Sequence, residues 1–183
     1  MKRILSLGRK ELKLDREIKV TGMFFNKPDH DSSCIWGSTL IKLPGGKNTS
    51  YWKEYVTNEE FLPKDFNYGV SFTLKRNSKI LQITDIDDYI AAMEKYKIRE
   101  IYDIRYMLDF VRISKDYDAF HLTQDAFLSM RTSYSFTKHG KILRDYNYED
   151  FNVYDAESWI IFNTNVINRG SILNHNNIVG GLL

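Results

Sequence analysis

Tyr68, Val70, Phe72 and Leu74 alternate with Gly69, Ser71, Thr73 and Lys75, the period-two pattern of a half-buried strand and the clearest such signal in the chain. β-Forming residues also occupy Ile18 to Phe25, after a charged leader of helical composition over 1–17. The polar loop Asn26 to Ser33 closes that run with Pro28, and a second strand is expected from Cys34 to Lys42. Leu43-Pro44-Gly45-Gly46-Lys47-Asn48 reads as a turn, and Ser50 as the N-cap of a short helix through Tyr51, Trp52, Tyr55 and Val56. After the turn Arg76-Asn77-Ser78, Lys79 to Thr84 is a neighbouring strand.

The spacing then becomes helical. Asp85, Asp87 and Asp88 open a helix with the charge that its N-terminus prefers, and Ile86, Ile90, Met93 and Tyr96 line one face. Ile101, Ile104, Leu108 and Val111 form a second stripe, and both stripes read as core faces. Tyr117 to Leu122 is a short inner strand, followed by a turn or two of helix capped by Thr123 through Phe127 and Met130. Thr132 to Asp155 is polar, rich in Tyr and basic residues, and aperiodic, the pattern of a long loop. Ser158 to Asn163 is an apolar strand, and the Asn-rich tail after Arg169 reads as peripheral. These elements define an α+β domain with a split, mostly antiparallel sheet and flanking helices: one domain over 1–183, with a core at 18–169 and a tail at 170–183.

Composition narrows the function classes. Hydrophobic residues at 43% and charged residues at 27% fit a globular chain with a sizeable core. A net charge of +2 lacks the basic excess of a dedicated nucleic-acid module. The single cysteine, Cys34, excludes an internal disulfide and a Cys-rich zinc site, which suits a reducing compartment. The opening segment is too broken for a signal-peptide core, and no run approaches a membrane span, so a cytoplasmic location is expected.

Candidate chemistry centres on Tyr154-Asp155-Ala156-Glu157-Ser158-Trp159-Ile160-Ile161-Phe162-Asn163, where a carboxylate opens an apolar strand. By alternation Glu157 shares a face with Trp159 and Ile161. A carboxylate there is costly unless paired or used; from the residues alone, the simpler reading places Glu157 just outside the core, in solvent. Asp29, His30, Asp31 and Cys34 are of metal-ligand types, but neighbours in a loop rarely all face one ion, and no metal is expected. His121 is a general-base candidate whose commoner meaning is a hydrogen-bonded structural histidine. Cys34 reads as a buried thiol. Lys138, His139, Lys141 and Arg144, interleaved with Tyr134, Tyr146 and Tyr148, have the residue types of a nucleic-acid contact and equally of a solvated loop.

The run Glu157 to Asn163, followed by Val166-Ile167, resembles the last catalytic strand of ADP-ribosyltransferase-fold proteins. Trp36-Gly37-Ser38-Thr39-Leu40 resembles the Ser-Thr element of that family's second motif, and Tyr68 to Leu74 with Ile80 to Ile83 resembles the strands that follow. Asp116-Tyr117-Asp118-Ala119-Phe120 is similar to the strand that precedes the glutamate, so that the likeness runs in order from Val20 to Ile167. The whole pattern also resembles proteins of Gram-positive bacteria and their phages. The resemblance implies an NAD-dependent transferase acting on an intracellular protein or nucleic acid. Glu157 would be its catalytic carboxylate, Ser38 or Thr39 would position that carboxylate or the nicotinamide ribose, and Trp36 or Tyr68 would stack on nicotinamide. The family's first strand carries an Arg or His for NAD, whereas Met23-Phe24-Phe25-Asn26 offers neither, and only Arg16 and His30 lie near. Either the first strand lies elsewhere, Asn26 substitutes as a neutral contact, or NAD binding is lost. That departure keeps a rival in view, a catalytically silent, phage-type inhibitor whose Tyr-rich surface occludes a host protein.

Overall fold

A computed structural model describes residues 2–7, 17–23, 27–29, 34–59, 68–99, 106–131 and 154–180. Its spine is a seven-stranded mixed sheet. In chain order its strands are β1 (Ile4–Leu7), β2 (Ile35–Thr39), β5 (Gly69–Leu74), β6 (Ile80–Ile83), β9 (Ala119–Leu122), β10 (Ser158–Ile161) and β11 (Ile167–His175). The short pairs β3 (Ile41–Lys42) with β4 (Asn48–Thr49), and β7 (Lys97–Arg99) with β8 (Tyr106–Leu108), form separate ribbons. The sheet order is β11-β5-β1-β2-β10-β9-β6, and every pairing in it is antiparallel except β6 with β9. Hydrogen bonding is continuous across the sheet, and its narrowest joint is the β1–β2 ladder, Ile4↔Thr39 and Leu5↔Ser38.

Four helices occur among the described residues: α1 (Tyr51–Asn58), α2 (Ile86–Tyr96), α3 (Phe110–Asp116) and α4 (Gln124–Arg131). Each begins where a polar side chain takes up a free backbone amide. Ser50 accepts from the Lys53 amide, Asp85 from Asp88, Asp109 from Arg112 and Thr123 from Ala126. On α2 the buried face is Ile86, Tyr89, Ala92, Met93 and Tyr96; Tyr89 rather than Ile90 carries the stripe inward. Asp85→Ala is expected to cost about 1 kcal/mol of stability, read as a lower urea midpoint at unchanged slope.

Alternation along the central strands divides the core in two. Phe120, Leu122 and Ile160 join Tyr89, Met93, Leu108, Phe110, Ile113 and Phe127 on one face. Ile4, Ile35, Phe72, Leu74, Ala119, Trp159, Ile161 and Ile167 pack on the other.

Four expectations need correction. The first described strand is Ile4–Leu7 in mid-sheet, not Ile18 to Phe25, so these four residues of the expected leader belong to the sheet, while residues 8–16 lie outside the described residues. Of 18–25 the described part makes only an isolated bridge, Met23 to Pro28. The expected strand Cys34 to Lys42 is two strands parted at Leu40. Leu108 belongs to β8, not to a helical stripe with Val111, because Lys97–Arg99 pairs back onto Tyr106–Leu108. The tail is not peripheral: β11 pairs with β5, and Ile178 beyond it is buried and bridges to Asn48. Residues 101–105 and most of the expected loop 132–155 lie outside the described residues.

Candidate functional site

Glu157 immediately precedes β10 and is 1% exposed, so it is not the solvated residue that its position outside the apolar run suggested. Its burial is met by donors from two strands. Oε2 accepts from the Ser38 hydroxyl at 2.9 Å and from the Thr39 amide at 2.7 Å. Oε1 accepts from the Thr39 hydroxyl at 2.5 Å and lies 2.8 Å from His121 Nε2. An ionised carboxylate has about four lone-pair positions, and all are taken. Charge-assisted bonds of this kind offset the cost of removing the anion from water. The Glu157 amide itself donates to Gln124 Oε1 at 3.1 Å, which ties the strand entrance to α4.

Sheet register brings these groups together. Trp159 lies opposite Gly37 on β2 and opposite His121 on β9. Residues paired across an antiparallel ladder share a face, so the His121 and Trp159 rings stack, with centroids 3.8 Å apart and planes 12° apart. Trp159 Nε1–H donates to the Thr39 hydroxyl at 3.2 Å, closing a loop of Trp159, Thr39, Glu157 and His121.

Burial pushes His121 below the usual imidazole pKa, outweighing the neighbouring Glu157, and the positive charge of Lys2 pushes the same way. For Glu157, burial favours the neutral acid, but the bonds from His121 and Thr39 together outweigh it and hold the carboxyl below its ordinary value. The pair is therefore a carboxylate and a neutral imidazole at neutral pH. Both shifts make the fold acid-sensitive. As pH falls below the ordinary histidine value of 6.5, the unfolded chain binds a proton at His121 before the folded one does. Stability drops across that window, and Glu157 adds a second loss as pH falls from its ordinary 4.5 through its lowered folded value. The melting temperature is expected to decline as pH is lowered from about 7 to about 4; a flat profile contradicts this assignment.

Of the residues singled out from sequence, Glu157, Ser38 and Thr39 converge. Trp36 lies further along β2 and is 37% exposed. It lines a cleft of about 180 Å³ with Leu5, Cys34, Trp52, Ser38 and Ser158. Tyr68 is not brought to Glu157: it precedes Gly69, which pairs with Leu7, whereas Thr39 pairs with Ile4. Three residues of strand, roughly 10 Å, separate those two ends of β1. Asn26, His30 and Asp31 lie outside the described residues, as does Arg16. The buried thiol of Cys34 agrees with its expected place, and it lines the cleft wall. Sequence reasoning passed over Gln124 and Lys2; only the β9–β10 pairing, invisible without topology, marks His121 as a partner of Glu157.

Among the described residues no group of three His, Cys, Asp or Glu side chains is arranged to hold a metal ion, and no helix is long and apolar enough to cross a membrane. No protein-family model, curated protein or solved structure matches the chain.

Proposed function

We propose that this chain is an ADP-ribosyltransferase-like protein that uses NAD as substrate and modifies an intracellular protein or nucleic acid. The observation that supports the reading most is the Glu157 carboxylate, buried yet ionised and oriented by Ser38 and Thr39 at the mouth of an apolar strand. In the reaction the bond between ribose C1′ and the nicotinamide nitrogen breaks, and its electron pair leaves with nicotinamide. C1′ develops oxocarbenium character, which a fixed anion stabilises. An acceptor oxygen or nitrogen then bonds to C1′ and releases its proton to solvent.

Glu157 serves as the anion and as acceptor for a ribose hydroxyl. Because its lone pairs are filled, one donor must yield to the substrate. Ser38 makes the longest of the four contacts and also lines the cleft, so its hydroxyl is the one a ligand displaces. Trp36 offers an exposed ring face at the cleft for the nicotinamide. The rival reading, a silent binding protein, draws on one observation: the Glu157 carboxylate is saturated and almost inaccessible.

NAD titration followed by tryptophan fluorescence tests the reading, since Trp36 and Trp52 both line the cleft. Saturable quenching, together with transfer of adenylate label from NAD to material in a lysate, is expected. Absence of both quenching and transfer would favour the silent binder.

A further inference from the structure

His121 is 1% exposed, its Nε2 faces Glu157 at 2.8 Å, and its buried Nδ1 has no hydrogen-bond partner among the described residues. A half-turn of the ring would keep it on the Trp159 face but put carbon in place of Nε2 and lose the contact to Glu157, and Trp159 is itself pinned through Nε1–H to Thr39. We propose that His121 is a positioning residue for Glu157, held as the neutral Nε2–H tautomer so that it aims and fixes the carboxylate while Nδ1 remains an unprotonated lone pair.

The alternatives are disfavoured by elementary hydrogen bonding. The Nδ1–H tautomer would turn the Nε2 lone pair onto a carboxylate oxygen, acceptor against acceptor, and bury an N–H without a partner. The imidazolium keeps the contact to Glu157 but also buries an unpaired Nδ1–H, now on a cation. Only the Nε2–H form makes a bond on one side and leaves the less costly orphan, an acceptor, on the other. The charges that reach the ring are consistent with neutrality. Glu157 attracts a proton, Lys2 opposes it, and burial opposes it most; Gln82, opposite His121 on β6, is neutral. A fixed neutral donor has a consequence for Glu157. The carboxylate gains a hydrogen bond without being cancelled by a full positive charge, so it remains available to an electron-poor centre.

The inference rests on the proposed role of Glu157 only in its activity arm. On the native protein without NAD, ¹⁵N NMR of the histidines at neutral pH is expected to show His121 protonated at Nε2 and bare at Nδ1. An Nδ1–H or imidazolium signature overturns the proposal whether or not the protein cleaves NAD. His121→Phe keeps a flat ring against Trp159 but removes the donor, and His121→Gln restores an N–H. The Glu157 carboxyl, followed by ¹³C NMR, should titrate at higher pH in His121→Phe and return toward native in His121→Gln. Nicotinamide release should fall roughly ten- to a hundredfold in His121→Phe and recover in His121→Gln. An unmoved Glu157 titration in His121→Phe overturns the positioning role. A shifted titration with no NAD cleavage by any form, native included, leaves the role standing and removes only the transferase reading. Should His121→Phe fail to fold, the tautomer measured on the native chain decides.

Discussion

Glu157→Gln is expected to lower nicotinamide release from NAD by at least about 10²–10³-fold, the usual consequence of removing one group aimed at charge that develops in a transition state. The loss has two sources. The amide is neutral and cannot stabilise positive charge at C1′. It also fits its surroundings badly, because Ser38, both Thr39 groups and the Nε2–H form of His121 all present donors to it. Whichever way the amide turns, its NH₂ meets donors and bonds are lost, at a cost of about 1–3 kcal/mol in stability. The rate must therefore be measured below the variant's own melting temperature. Glu157→Asp separates the two effects: it keeps the charge but withdraws it by one methylene, and the release rate should still drop while more of the stability is retained. A Glu157→Gln protein that releases nicotinamide at the native rate removes Glu157 from the chemistry.

The second large effect falls on the sheet. Gly37→Ala is expected to destabilise the fold by about 1–3 kcal/mol, toward the upper end of what overpacking costs, and to disturb the site with it. A Cβ at Gly37 would stand 2.6 Å from Ile4 Cγ2 and 2.9 Å from the Leu5 carbonyl oxygen. The carbonyl is backbone and cannot swing aside, so β1 must move away from β2. That joint is only the two residue pairs Ile4↔Thr39 and Leu5↔Ser38, and its β2 side carries the Glu157 donors. Chemical denaturation gives the stability change, and the Glu157 carboxyl resonance reports whether the site has shifted. A variant as stable as native contradicts the close packing of this joint.

How much of this could be read from sequence depends on what each signal encodes. β5 was legible as a strand because its alternation is carried by large residues, but not as a half-buried one, since Gly69 and Ser71 are buried as well. The start of α2 was legible because Asp85 caps it through a local bond. β1 escaped because Ile4–Leu7 is four residues long among charges, and its strand character comes from neighbours on both sides rather than from its own pattern. β11 escaped for the opposite reason: it is a long strand at the sheet edge, mostly exposed, so its Asn-rich sequence carries no hydrophobic period. At the site, the meeting of Ser38 with Glu157 was an expectation carried by resemblance alone, since 119 positions separate the two residues. The burial of Glu157 ran against residue type and became intelligible only once its donors on β2 and β9 were in place. His121 looked like an isolated strand histidine because its partners, Glu157 and Trp159, arrive through the β9–β10 ladder.

The measurement that bears most directly on the central claim is the rate of nicotinamide release when purified native protein and Glu157→Gln are incubated side by side with NAD, each confirmed folded. The account predicts release by the native chain and its loss in the variant. Equal rates from the two, or neither release nor NAD binding by the native chain, would contradict it.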